Sequence, residues 1–278
     1  QDGRLPTDWT DDEVRALCDR EHGVGSDGVV VVTPAPEGTL DVDFRNPDGS
    51  RSFCGNGTRS ALAWAHGMGL VGKEAQLRAV DGAHLGHVRP DGTPGITLNV
   101  SAVPQFKPAT VEGATEAAFL DTGSPHHIEW LASSEALQAL DLVAAAAPAR
   151  HHRDYAPGGC NVNVVVPQPG GLAIRTFERG VEAETLSCGT GVVAAALADM
   201  VRCNETAGQH MRTVHARGGT LEVQATREEQ GGFGNVWLFG AARKVFQGTW
   251  AGVLAFLMCW SNPAAAGELA DELSDAAQ

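Results

Sequence analysis

One pattern occurs twice in this chain, and it limits the folds open to it more than any other feature. The stretch FRNPDGSRSFCGNGTRSALAWA, residues 44–65, and the stretch RTFERGVEAETLSCGTGVVAAALA, residues 175–198, align as strand, acidic turn, cysteine, Gly-x-Gly and helix. Their cysteines, Cys54 and Cys188, lie 134 residues apart, about half of the 278-residue chain. A period of that length is too long for a solenoid and implies two similar domains facing one another. The expected division is a half over 1–115 carrying Cys54, a half over 116–245 carrying Cys188, and a final strand with an atypical, partly solvated tail over 246–278. Val103 to Ala118, poor in strong signals, reads as the crossover between the halves.

Around the repeat the chain alternates short strands with few helices. Thr10 to Glu21 predicts a short helix capped by Thr10 or Asp11, with Val14, Leu17 and Cys18 on one face and an end near Gly23. Gly23, Gly25 and Gly28 match G-x-G-x-x-G, but here the order is helix, glycines, strand. A dinucleotide fingerprint runs strand, glycines, helix, so these glycines are read as a turn into a strand over Val29 to Val32. A strand over Leu40 to Phe44, a turn at Asn46 to Ser50 and a helix from Cys54 to Gly67 or Gly69 follow, then strands over Ala75 to Val80, Gly86 to Arg89 and Ile96 to Val100. In the second half a strand enters DTGSPHHIEW, a helical stretch spans Ser134 to Ala147, and strands cover Val162 to Val166 and Leu172 to Phe177. Three more strands, Thr213 to His215, Thr220 to Gln224 and Val236 to Phe239, follow the second cysteine helix. The fold class is α+β.

Each cysteine stands at the mouth of a helix, facing unpaired backbone N–H groups and the positive end of the helix dipole. Both favour thiolate over thiol, and the same helix end holds a carboxylate. Two thiols flanking one carbon suit a definite reaction. One thiolate removes a proton, and the other thiol delivers a proton to the opposite face, leaving the mirror configuration. An unperturbed thiol pKa near 8.5 puts both forms within reach at neutral pH, and a carboxylate beside the reacting carbon would be stabilised by the helix ends as charge develops.

Composition narrows the alternatives. With 34 acidic and 20 basic residues the formal charge is −14, which repels nucleic acid and anionic membrane surfaces. The six cysteines show no close CxxC spacing, so neither a zinc ribbon nor a thioredoxin-type motif is read, and reduced thiols in a cytoplasm are the simplest assignment. The first residues have neither a basic start nor an apolar run, so they carry no secretory signal. The longest aliphatic and aromatic run, Trp250 to Trp260, is too short for a helical membrane span. His151 and His152 lack a partnered ligand set, and no metal is assigned. Cys18, Cys160, Cys203 and Cys259 are read as core or incidental.

At NPDGSRSFCGNG, DTGSPH, Asn161 to Asn163 and FERGVEAETLSCGTG the chain resembles the diaminopimelate epimerase family, over roughly Asp2 to Trp250. The resemblance implies two pseudo-symmetric domains, each a curved, mostly antiparallel sheet or barrel around a central helix, with the active site in the cleft between them. It implies cofactor-independent interconversion of LL- and meso-2,6-diaminopimelate, in lysine and cell-wall biosynthesis, without pyridoxal phosphate. Cys54 and Cys188 would be the acid and base, His126 would pair with Cys54, and Glu178 with Cys188. Substrate contacts fall on Asn46, Gly55, Asn56, Asn161, Glu178, Arg179, Gly189 and Thr190. Ser124 occupies the place of the Asn that usually precedes Pro-His. The partner is a small-molecule substrate, with a homodimer left open.

Four departures accompany the resemblance. The family ordinarily opens with a strand and a Gly-Asn-Asp-Phe-like segment, and this chain starts beyond that point, implying a fragment or a substitute segment. Gly28 stands where Gln is common, Ser124 where Asn is usual, and the residues after Trp250 fall outside the pattern. The competing enzyme is a proline or hydroxyproline racemase, which also uses two cysteines but usually carries His where this chain has Asn56. A binding relative that has lost catalysis is the alternative from another class, and a redox role would require a Cys54–Cys188 disulfide in the working state.

Overall fold

The computed structural model describes residues 9–250 and 253–255. The acidic tail expected over Pro263 to Gln278, and Cys259, lie outside them. The chain forms two compact units, Gln1–Pro94 with Ala242–Gln278, and Gly95–Ala241.

In the first unit α1 (Asp11–Cys18) starts where a side chain can satisfy its free amides. The Thr10 hydroxyl accepts from the Glu13 amide while the Glu13 carboxylate accepts from the Thr10 amide, a capping box with three acidic residues in the first turn. Its apolar face, Val14, Leu17 and Cys18, packs on Val29. The glycine turn then feeds β1 (Val29–Ala35), so helix, glycines and strand come in the expected order. β1 pairs antiparallel with β2 (Thr39–Arg45). The chain next crosses over through α2 (Gly55–Gly67) to β3 (Glu74–Ala79), which lies parallel to β2, and β4 (Gly82–Val88) returns antiparallel to β3. A parallel pair requires such a crossover, and α2 fills it, packing on β1, β2 and β4 with Ala61, Leu62 and Ala65 buried.

The second unit comprises β5 (Pro94–Thr97), β6 (Gln105–Lys107), β7 (Ala114–Asp121), β8 (Pro125–Leu131), α3 (Ser134–Ala139), α4 (Leu142–Arg150), β9 (Asn161–Gln168), β10 (Gly171–Glu178), β11 (Ala183–Thr185), α5 (Gly189–Arg202), β12 (Gly208–Ala216), β13 (Gly219–Arg227) and β14 (Phe233–Gly240). The strand order is β6, β7, β8, β9, β10, β12, β13, β14, β5, with β11 paired to β10. Pairing is antiparallel except between β8 and β9 and between β10 and β12, the two places bridged by helices. Thus β9, β10, α5, β12 and β13 repeat the pairing scheme of β1, β2, α2, β3 and β4.

α5 is the centre of its unit. Residues from Gly191 to Met200 are buried all round, and β7, β8, β9, β10, β12, β13 and β14 pack on it. Its small side chains allow strands to approach on every side. The opposite face of β9 is covered by α3 and α4, where Cys160, Val162, Val164 and Val166 meet Leu137, Leu142, Ala146 and Ala149.

Val103 to Ala118, read as poor in signals, holds β6 and the start of β7, paired through Phe106 and Ala118. One expectation is corrected. The helical stretch after Ser134 is two helices, because Leu140 turns extended and the Asp141 carboxylate caps α4 by accepting from the Ala144 amide at 3.2 Å.

Candidate active site

The first cysteine is positioned by the end of β2. After Arg45 the chain turns at Asn46, whose side-chain amide donates to the Ser50 carbonyl (3.2 Å) and hydroxyl (3.0 Å) and accepts from Ser52 (3.1 Å). Cys54 is then the N-cap of α2 in extended conformation, and its sulfur accepts from the Gly57 amide at 3.4 Å. A sulfur in that position carries negative charge more readily. One turn further on, Arg59 is fully buried and donates to the Asn56 side-chain oxygen at 2.7 Å. Burial lowers its guanidinium to about 10, while the charge of a Cys54 thiolate acts in the opposite direction. Gly55 is buried and Asn56 half-buried beside it. Phe53 stacks on His84, which Asp81 holds at 2.9 Å. Gly28 enters β1 against this frame: a Cβ there would stand 2.5 Å from the Phe44 ring and 2.7 Å from the Arg45 carbonyl, so a side chain at this position would require its surroundings to shift.

The second cysteine follows β10 through the turn at Arg179 to Glu182. Arg150 from α4 fastens that turn by pairing with Glu182 and donating to the Gly158 carbonyl at 3.0 Å. Arg175 holds Glu184 through two hydrogen bonds of 2.8 and 2.7 Å. Cys188 is the N-cap of α5 and 8% exposed, and its side chain makes no capping hydrogen bond of the kind Cys54 makes. It lies 3.5 Å from the Thr190 hydroxyl, which is 3.0 Å from His126 Nε2. Burial, followed by the Arg179 charge, lowers the His126 imidazole to about 3, so it is neutral. Gly189 is buried and Thr190 half-buried at the first turn.

Asn161 ties three segments together. Its amide donates to the Ser124 hydroxyl (2.9 Å) and the Pro125 carbonyl (3.1 Å), and its oxygen accepts from the Arg179 backbone (2.8 Å). Glu178, half-buried, ends β10, and the Arg179 side chain is exposed just beyond. Within the second unit, therefore, Ser124, His126, Asn161, Glu178, Arg179, Cys188, Gly189 and Thr190 gather where β8 and β9 begin and β10 ends, at the start of α5. Within the first, Asn46, Cys54, Gly55 and Asn56 gather where β2 ends at α2.

Sequence reasoning missed Arg59, Asn163 and Thr176. Arg59 had a signal, being a charge five residues into an otherwise small and apolar helix. Asn163 had one too, since it shares a strand face with Asn161. Cys18 and Cys160 fit their core assignment: both are buried, with the Cys160 thiol pushed up to about 12 by that burial. His151 and His152 are exposed, and among the described residues no group of three potential ligands could hold a metal. The five described cysteines are free thiols. No helix among the described residues is long and apolar enough to cross a membrane.

A family model described as diaminopimelate epimerase matches residues 3–101 and 118–245. The diaminopimelate epimerase of Chlorobaculum tepidum is 35% identical over 244 residues, covering 86% of this chain and 91% of its own. That of Flavobacterium psychrophilum is 34% identical over 241 residues, covering 85% and 88%. Among solved structures, a PhzF-family phenazine biosynthesis protein of Bacillus anthracis is similar with a TM-score of 0.65 at 15% identity, over 84% of this chain and 86% of that one, a likeness of fold.

Proposed function

The chain belongs to the diaminopimelate epimerase family, and from that membership we propose that it interconverts LL- and meso-2,6-diaminopimelate by two-base proton transfer, with Cys54 and Cys188 as acid and base. The observation that carries the reading is the twofold occurrence of one device, a cysteine capping a helix after a strand and a turn. One sulfur, as thiolate, takes the α-proton, and the electron pair left on carbon is delocalised into the substrate carboxylate. The other sulfur, as thiol, gives its proton to the opposite face, so the inverted centre is reached and the two sulfurs exchange protonation states.

The remaining residues bind and orient. The Gly55, Asn56, Gly189 and Thr190 amides at the two helix ends hold the reacting carboxylate and the charge that develops on it. Asn46, Asn161, Ser124, Glu178 and Arg179 hold the substrate, the last two suited to the opposite charges of a second amino acid head. His126 and Glu178 set the proton affinities of the sulfurs. The reaction takes place in the cytoplasm, where thiols stay reduced.

The test is incubation with LL-diaminopimelate in D₂O, followed by NMR. Meso product with deuterium at the α-carbon is expected, and Cys54→Ala and Cys188→Ala should each lower the rate by about 100- to 10,000-fold. Neither product nor deuterium, or full activity in either variant, sinks the reading. Turnover of proline without turnover of diaminopimelate would transfer it to the racemase class.

A further inference from the structure

Three polar side chains occupy the α5-facing side of three adjacent strands, in positions where a core would ordinarily be apolar. His126 on β8 and Asn163 on β9 are fully buried, and Thr176 on β10 is 3% exposed. Asn163 stands opposite Thr176 across the β9–β10 ladder. The side-chain nitrogen of Asn163 donates to the His127 carbonyl at 3.2 Å, and its oxygen accepts from the Thr176 hydroxyl at 3.0 Å. A carbonyl cannot donate, so this pair of contacts fixes which end of the amide is nitrogen.

The same nitrogen lies 3.1 Å from His126 Nδ1, which must therefore accept. A neutral imidazole that accepts at Nδ1 carries its proton on Nε2. That proton points at the Thr190 oxygen, 3.0 Å away. With its oxygen accepting there, the Thr190 hydroxyl is free to donate to Cys188, whose sulfur is 3.5 Å away. Gly191 makes this packing sterically feasible: a Cβ at that position would stand 2.4 Å from the Asn163 oxygen and 3.2 Å from the His126 ring.

We propose that Asn163 is a positioning residue for the reaction, locking His126 as its Nε2–H tautomer so that Thr190 donates to the Cys188 sulfur and favours the thiolate. The inference rests on Cys188 being one of the two acid/base thiols. His126 then transfers no proton itself. It works as a fixed donor. Charged groups near this end of α5 are Glu178, on the β10 face that carries Thr176, Arg179 just beyond it and, four residues before Cys188, Glu184 paired with Arg175 and Arg217. Asp199, paired with Arg202 and Arg212, is at the other end of the helix. Of the other strands packed on α5, β7, β12, β13 and β14 contribute Ala118, Leu120, Val214, Leu221, Val223, Val236 and Leu238 to the buried core.

The test reads tautomer and thiolate directly, so it stands apart from the epimerase assay. Long-range ¹H–¹⁵N NMR of the whole protein should show His126 neutral with its proton on Nε2 from pH 5 to 9. Alkylation by iodoacetamide between pH 5 and 10, resolved by peptide mass spectrometry, reports Cys188 with Cys54 as internal reference. In Asn163→Leu and Thr190→Val, the Cys188 thiolate fraction near neutral pH should fall about tenfold, with Cys54 unmoved, and Thr190→Ser should restore it. Should Asn163→Leu not fold, the Thr190 pair and the wild-type tautomer decide. A proton on His126 Nδ1, an unmoved Cys188 profile in Thr190→Val, or equal shifts at both cysteines overturns the proposal. An inactive protein that nonetheless shows the expected tautomer and shifts would overturn only the epimerase reading.

Discussion

The two cysteine frames share a backbone plan and differ in nearly everything around the sulfur. In the first, Cys54 takes a helix amide and a buried arginine stands one turn on. In the second, the Cys188 side chain makes no such capping bond, a hydroxyl faces it, and the residue matching Arg59 is buried Val193. The strands differ in the same sense. Gly191 faces Asn163, which is paired with Thr176, whereas Gly57 faces Val30 and Phe44, paired with each other across β1 and β2. Repetition thus conserves where a thiol is held, while the side chains set around it differ. On the proposed mechanism, which needs one thiol and one thiolate at once, a helix amide and a buried cation act at Cys54 and the hydroxyl of Thr190 acts at Cys188.

The largest expected effect that separates the frames is at the second glycine of each motif. Gly191→Ala pushes a methyl against the Asn163 oxygen at 2.4 Å, whereas Gly57→Ala meets the Phe44 ring and Val30 at 3.0 and 3.1 Å. Overpacking of the first kind should lower stability in urea by about 3 kcal/mol and the second by about 1 kcal/mol. Equal losses would mean that the two helix starts are interchangeable.

A smaller effect is set by pH. The folded value of about 3 for His126 lies below the unfolded value near 6.5. Between them the unfolded chain binds a proton that the folded chain does not, so stability falls as pH drops below about 6.5. The slope is about 1.4 kcal/mol per unit at most. His126→Gln should flatten this slope in urea titrations from pH 7 to 4.5, and an unchanged slope would remove His126 as its source.

The smallest contrast concerns ion pairs. Glu184→Gln loosens the half-buried, two-pronged contact with Arg175 in the second unit and should lower stability by about 1 kcal/mol. Asp41→Asn in the first unit, facing exposed Arg78, should leave the urea midpoint unmoved.

How far the sequence could be read follows from the range of each signal. α2 and α5 were legible because cysteine, glycines and small apolar residues are contiguous. β6 was not, since Phe106 is its one large apolar residue and is exposed. The break between α3 and α4 hides in Leu140-Asp141, where an apolar rhythm continues through a residue that acts as a cap. Cys54 and Cys188 could be found by pattern alone. Asn163 could not be assigned its role, because that role depends on which side chains neighbouring strands place beside it.

The pairing of β5 with β14 bears on how the protein is made. Gly95 and Ile96 open the second unit and stand opposite Phe239 and Leu238, which close it. A nascent chain therefore exposes this strand edge until nearly all of the unit has left the ribosome, a wait of about ten seconds or more at ordinary synthesis rates. Closure across so much intervening chain is slow to nucleate.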